Sequence, residues 1–541
     1  MRYHLTLLGY LLSAAALLLG ACQARSVTQK PKESQGRRQV LRTNIMSEPT
    51  TMDPRLASEI VAESLLNMLF SGLTYNHISG EVRLALAESV EISDDLTQYQ
   101  FTLKDALWSD GSILTAHHFE KSWKSCLDPT FPCEMAHLFY LIRGAKEAKL
   151  GQISPSEVGV RALDERTLLV ELVQPTPYFL SVIAHPSFAA VHPSALARPI
   201  QESELLVGHY IGSGPFRLKS FKRQSEIRLE KNPFYWDADG VRISEVHFSM
   251  VRDQNTAFIM FENGDLDWLG MPFSEIPPDA FVHLKQKGLF HPKPVAGTRW
   301  IEFNTRKPPF NNKNIRRAFG LALHRKQLIE HVIQTPDPMG LALIPPVQKP
   351  ERYRPYFQDH DVEQARIHFA QGLAELGISA AEFPEVTFHY HSSEMYHRMA
   401  QAMCEDWKAA LGVRVRLEHQ DWKVHLSKLT TGQFEIARYG WSATFNDPIS
   451  FLEIFRSAAN ASNHTGWQNL EYQRYLDLSD RSIDRSLRES YLDAAEAILM
   501  EEAPLMPIYH FSDTSIHHPY VKDVFISLLH MADFRWAHLE P

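Results

Sequence analysis

Between residues 386 and 417 the spacing of apolar side chains changes twice, and this switch restricts the fold more than any other feature of the chain. Val386-Thr-Phe-His-Tyr390 alternates as a strand does. Met395, Met399, Met403, Trp407 and Ala410 then step by 4, 4, 4 and 3 residues, which is one face of a helix. Gly412 closes that helix, and Val413, Val415 and Leu417 alternate again. A strand, a helix and a strand with short joints predict parallel strands joined by a right-handed crossover. Val246–Val251, the helix-spaced Asn255–Phe261 and Asp265-Leu-Asp-Trp268 predict a second such unit. The fold class is therefore α/β. The methionine run reads as core, because Met fills irregular gaps.

The first residues read as a targeting segment. Arg2 is basic, and Leu5–Leu19 is apolar but too short to span a bilayer. The run ends Leu19-Gly20-Ala21-Cys22, which resembles a bacterial lipobox: residues 1–21 a signal peptide, then a lipidated Cys22. Residues 23–39 carry Arg25, Lys30, Lys32, Arg37 and Arg38 against the single acid Glu33, so 22–39 reads as a disordered tether. Cys126 and Cys133 either close a short disulfide loop outside the cytoplasm or pack as buried thiols, and Cys404 packs on its helix. A net charge of −9 gives nucleic acid no global attraction.

Phe434-Glu-Ile-Ala437 alternates as a strand and runs into Arg438-Tyr-Gly-Trp-Ser-Ala-Thr-Phe-Asn-Asp-Pro448. Gly440 permits close backbone approach, and Asn446-Asp447-Pro448 is a turn signal. A strand end of this kind presents side chains at a cleft; the plainer reading is a buried strand end with an ordinary turn. Other blocks accompany it in order: Leu69-Phe-Ser-Gly-Leu73, Tyr99–Leu103 with Trp108-Ser-Asp-Gly111 and Thr115, Gly212-Ser-Gly-Pro-Phe216, Asn232-Pro-Phe-Tyr-Trp236 and Pro308-Pro-Phe310. Together these resemble the oligopeptide- and dipeptide-binding proteins of bacterial ABC importers, from about Val40 onward. In that family a Gly-Trp-x-Ala-Asp-Tyr-x-x-Pro-x-x-Phe-Leu segment lines the peptide site. Gly440, Trp441, Ala443, Pro448, Phe451 and Leu452 match it, and Thr444 stands where peptide binders carry an Asp.

The resemblance implies a two-lobe binding-protein fold with a hinge and an extra domain. Lobe I is expected from 40–75, 207–298 and 512–541, the extra domain from 76–206 and lobe II from 299–511. It implies ligand contacts from Arg438, Gly440, Trp441, Ala443, Thr444 and Asp447, from Trp422, and from Tyr396, His397, Tyr509 and His510. Arg438 would meet a ligand carboxylate; Asp447, or Asp421 beside Trp422, would replace the missing acid. A monomer anchored by lipid, an ABC permease with a cytoplasmic ATPase, and no cofactor follow from the same resemblance. No Gly-x-Ser-x-Gly, Walker loop, Gly-x-Gly-x-x-Gly or His-Glu-x-x-His occurs, and no enzyme is expected. His389 and His391 share a strand face, which keeps a metal-chelate or haem carrier of the same fold as an alternative. A surface adhesion or sensing protein is the other.

Overall fold

Residues 39–201, 204–205 and 209–541 are described by a computed structural model. The expected signal peptide, Cys22 and most of the tether lie outside the described residues. Gln39–Leu539 forms one compact unit.

Three sheets organise it. In the first, β1 (Val40–Ile45) is an edge strand, followed in space by β4 (Glu245–Met250), β3 (Glu226–Lys231) and β2 (Phe216–Lys222). β1 and β4 are parallel, whereas β2, β3 and β4 form an antiparallel meander. The second sheet is antiparallel and lies within the expected extra domain. Its strands are Ala87–Ile92, Gln98–Leu103, Thr167–Glu171 and Val160–Ala162 in that order. Cys126 and Cys133 lie beside this sheet as buried free thiols. Lys149 closes the loop between them by donating to the carbonyls of Cys126, Asp128 and Phe131.

The third sheet carries the cleft. Its order is β5 (Trp268–Gly270), β10 (Leu505–His517), β6 (Phe290–Phe303), β9 (Ile436–Ser442), β7 (Val386–His391) and β8 (Val415–Gln420). β7 and β8 are parallel and joined by α1 (Glu394–Leu411), as the periodicity predicts. Met399, Met403, Trp407 and Ala410 are buried on the inner face of α1, and Gly412 ends it with φ 73°, a conformation glycine adopts without strain. The other expected crossover unit is corrected by the structure. β4 and the helix Gln254–Glu262 form, but β5 pairs antiparallel with β10 in the third sheet. Strand spacing alone does not say which sheet a short strand joins.

β6 and β10 are the long strands, 14 and 13 residues. Their pairing runs from Phe290↔Ile516 to Glu302↔Leu505 and is interrupted between Pro294 and Thr298. Pro292 and Pro294 cannot donate to the ladder. At the interruption the amide of Ala296 donates instead to the Leu528 carbonyl. The boundaries expected at 298/299 and 511/512 thus fall inside continuous strands.

Trp407 is the largest single investment of α1 in this core. It is fully buried, its Nε1 donates to the Phe319 carbonyl at 2.8 Å, and its ring meets Phe319 and Phe388 at 5.3 and 5.6 Å. Trp407→Ala is expected to lower the unfolding free energy by about 3–5 kcal/mol, read from urea unfolding; a loss below about 1 kcal/mol would contradict this packing.

Candidate functional site

β9 pairs with β6 in the register Arg299↔Gly440 and Ile301↔Arg438, and β10 places Tyr509 opposite Arg299. Paired residues share a sheet face and so do residues two apart. Arg299, Arg438, Gly440 and Tyr509 therefore lie on one face. Over it α1 brings Tyr396, β7 ends in His391, and α2 (Trp422–Thr430) begins with Trp422. The space between is a cleft of about 330 Å³.

Arg438 forms the base of the cleft and is 3% exposed. Its guanidinium lies 3.4 Å from the Tyr396 ring centroid, and Nη1 approaches His391 Nδ1 at 3.5 Å. Its Nε and Nη2 are buried and make no well-aligned hydrogen bond, the Tyr509 hydroxyl giving the guanidinium only a loose contact. Burial holds its pKa below the ordinary value; the tyrosines Tyr396 and Tyr509 act the other way. Burial, and then the charge of Arg438, bring His391 down to about 4, so its imidazole is neutral at pH 7. Trp422 is half-exposed at the rim, where it meets His391 edge-on at 5.2 Å and stacks on Tyr439 at 6.4 Å.

Gly440 is required by its neighbour. A Cβ there would come within 2.6 Å of Arg299 Cδ and 2.8 Å of the Thr298 carbonyl oxygen. The missing side chain is the space in which Arg299 crosses β9 into the cleft.

The remaining expected contacts are distributed differently. His510 points to the opposite sheet face from Arg299. It is buried there, its Nδ1 2.9 Å from the Thr298 hydroxyl, and burial depresses it to about 3. His510 is thus a structural histidine and not a cleft residue. His397 is exposed on α1, its Nδ1 2.5 Å from the Tyr390 hydroxyl. Trp441 packs half-buried on the core side, opposite Thr298. Ala443 is buried, and its amide donates to the Ala296 carbonyl. The Thr444 amide donates to the Ser450 hydroxyl at 3.2 Å.

Asp447 is not the free acid that the turn suggested. Both carboxylate oxygens accept from Arg488 of α3 (Arg485–Glu502), each at 2.8 Å, and Oδ1 also accepts the Ile449 amide. A bidentate buried pair of this kind leaves little capacity for a further cation. Next to it Phe445 stacks on Tyr178 at 5.5 Å, and Asn446 donates to the Gly80 carbonyl at 2.9 Å. The turn is thus tied to residues of the expected extra domain. Asp421 stands exposed at the start of α2. Arg299, His391 and Tyr439 line the cleft without having been expected there. Arg299 and Tyr439 become visible only through strand pairing. His391 did carry a signal, as one of two histidines on a strand face, but toward a metal. Among the described residues no cluster of three metal-ligating side chains occurs, and no helix is long and apolar enough to cross a membrane.

Comparison with known proteins places this geometry. The pattern of the bacterial extracellular solute-binding proteins, family 5 (middle), matches residues 81–463. The oligopeptide-binding protein OppA of Bacillus subtilis (strain 168) is 35% identical over 531 residues, 97% of each chain. The periplasmic murein peptide-binding protein MppA of Escherichia coli (strain K12) is 28% identical over 492 residues, 90% of each chain. The unliganded open form of MppA superposes with a TM-score of 0.82 at 26% identity, covering 93% of this chain and 99% of that one. Haemophilus influenzae OppA in complex with the peptide RPPGFSPFR superposes over the same shares with a TM-score of 0.70 at 25% identity. The present structure is thus more similar to that open form than to that complex.

The Asp447–Arg488 pair sets the shape of the turn. Arg488→Ala would leave a buried carboxylate without its partner and is expected to cost about 3–5 kcal/mol of stability. Asp447→Asn in the same background should recover part of it. A double variant no more stable than Arg488→Ala alone, in the same unfolding assay, would contradict this account.

Proposed function

The chain belongs to the bacterial extracellular solute-binding proteins of family 5, and on that footing we propose that it captures oligopeptides between two lobes and delivers them to an ABC permease. Proteins of this family bind solutes and are not enzymes. The observation that carries the peptide reading is the buried guanidinium of Arg438, two of whose nitrogens make no well-aligned hydrogen bond beside an open cleft. A cation left in this condition is completed by an anion from outside, and a peptide's carboxyl terminus is one. Tyr396 and Trp422 supply flat walls that tolerate many side chains. Gly440 lets Arg299 reach the cleft, and Tyr509 closes the base.

In this reading lobe I comprises 40–75, 207–298 and 512–541, the extra domain 76–206 and lobe II 299–511. β6 and β10 cross from lobe I to lobe II, with the bend at the interrupted register. The likeness to an open form supports closure on ligand. The protein works outside the cytoplasm, held to a membrane by lipid on Cys22. If so, Cys22→Ala should move the protein from the detergent phase to the aqueous phase on partitioning; unchanged partitioning would refute the anchor.

Recognition of the ligand's amino terminus is relaxed. Thr444 offers a hydroxyl, and Asp447 is already neutralised by Arg488. A buried ammonium without an anion costs several kcal/mol, so peptides lacking a free α-ammonium, cell-wall-derived ones among them, become acceptable. Calorimetry with matched free and N-acetylated peptides is expected to give affinities within about threefold on wild type. Thr444→Asp should restore a preference of about tenfold or more for the free peptide. A wild-type preference of about a hundredfold for the free form, lost in Asp421→Asn, would show instead that the acid has moved to Asp421.

A further inference from the structure

We infer that Arg299 is a second anion-receiving group of the cleft and selects ligands with an acidic side chain at their carboxyl-terminal residue. The inference rests on the peptide reading above and goes beyond it by naming a ligand class and the residue that chooses it.

The argument begins with how Arg299 is held. Its guanidinium lies over the Phe511 ring, 4.1 Å from the centroid. Phe511 is seated by Gly297, where a Cβ would come within 2.0 Å of Phe511 Cδ2. Gly440 leaves the space through which the Arg299 stem passes. Two side-chain-free positions and an aromatic platform thus hold one long flexible cation in one direction, and that direction is the cleft it lines with Arg438.

Charge comes next. Arg299 Nε is buried without a hydrogen-bond partner, and Nε and Nη2 of Arg438 make no well-aligned hydrogen bond. Neither arginine forms an ion pair among the described residues, and the charge of Arg299 disfavours that of Arg438. The other groups near the pair are His391, Tyr396, Tyr439 and Tyr509, none of which carries a carboxylate. Asp337 interacts with Arg299 without forming an ion pair; its carboxylate accepts from the Ser512 amide and the Thr335 hydroxyl, and burial lifts it to about 6. Two like charges facing one small cleft are unfavourable until anions enter it. A peptide carboxyl terminus brings one anion. Its neutral-ended forms leave the second guanidinium incompletely bonded, whereas a terminal Glu or Asp brings a second carboxylate within the same residue. Arginine is suited to this because its planar fork takes a carboxylate in two parallel hydrogen bonds.

The test uses the mature protein and four pools of tri- to pentapeptides with free amino termini. The pools end in Glu or Gln, each as free acid or as amide, and the retained fraction is read by mass spectrometry. Wild type is expected to retain Glu acids over Gln acids by about tenfold or more, the worth of one charge-assisted hydrogen bond. Both single-anion pools, Glu amides and Gln acids, should fall between Glu acids and Gln amides. In Arg299→Gln, with its thermal melting checked, the Glu-over-Gln ratio should fall to about one to three. Equal retention of Glu and Gln acids by wild type overturns the inference and leaves the peptide reading standing. So does an unchanged ratio in Arg299→Gln. Retention of none of the pools overturns both.

Discussion

The pairing of β6 with strands on both of its sides is the constraint on which the rest of the molecule depends. From Thr298 to Glu302 this strand is bonded to β9 on one side and β10 on the other. That double pairing fixes which residues share a face. A shift of one residue in either ladder would exchange Arg299 for Thr298 or Trp300 and turn the cation into the core. It would also put Arg438 where Ala437 or Tyr439 now stands. The cleft's chemistry is therefore a matter of register as much as of residue type.

The second determinant is how the turn after β9 is held. A turn rich in Asn, Asp and Pro has several low-energy shapes. Here one is selected by the Asp447–Arg488 pair, the Phe445–Tyr178 stack and the Asn446–Gly80 hydrogen bond. A second, partly exposed cluster interacts with the pair through the charge of Asp480. Arg456 bonds Glu453, Asp477 and Asp480, and burial lifts Asp480 to about 6.

Much of the architecture could be read in the chain. The parallel β7–α1–β8 unit follows from periodicity, because helix and strand spacings differ strongly and Gly412 marks the joint. Arg438, Gly440, Trp422 and Tyr396 came from a resemblance and converge on one cleft. Three things could not be read. The sheet to which Trp268–Gly270 belongs depends on a partner 247 residues later, Ser515–His517. The face occupied by His510 depends on register with β6, which its neighbours in sequence do not reveal. Arg299 sits between Thr298 and Trp300 on β6, where residue type alone does not give its face, and its role is visible only against Gly440. The same applies to Asp447, whose type suggested a free acid until Arg488, 41 residues on, was found beside it.

The ties of the 445–447 turn have a mechanical consequence. β6 and β10 run side by side, and two adjacent ribbons bend together much as a strip does, with twist and shear still open to them. The turn adds attachment to Gly80 and Tyr178 away from those ribbons. For the closure proposed above, an additional fixed point would turn a loosely guided swing into rotation about a defined line. The ring stack can slide while the hydrogen bond pivots. In that closure, the walls of the cleft would therefore meet in a single alignment.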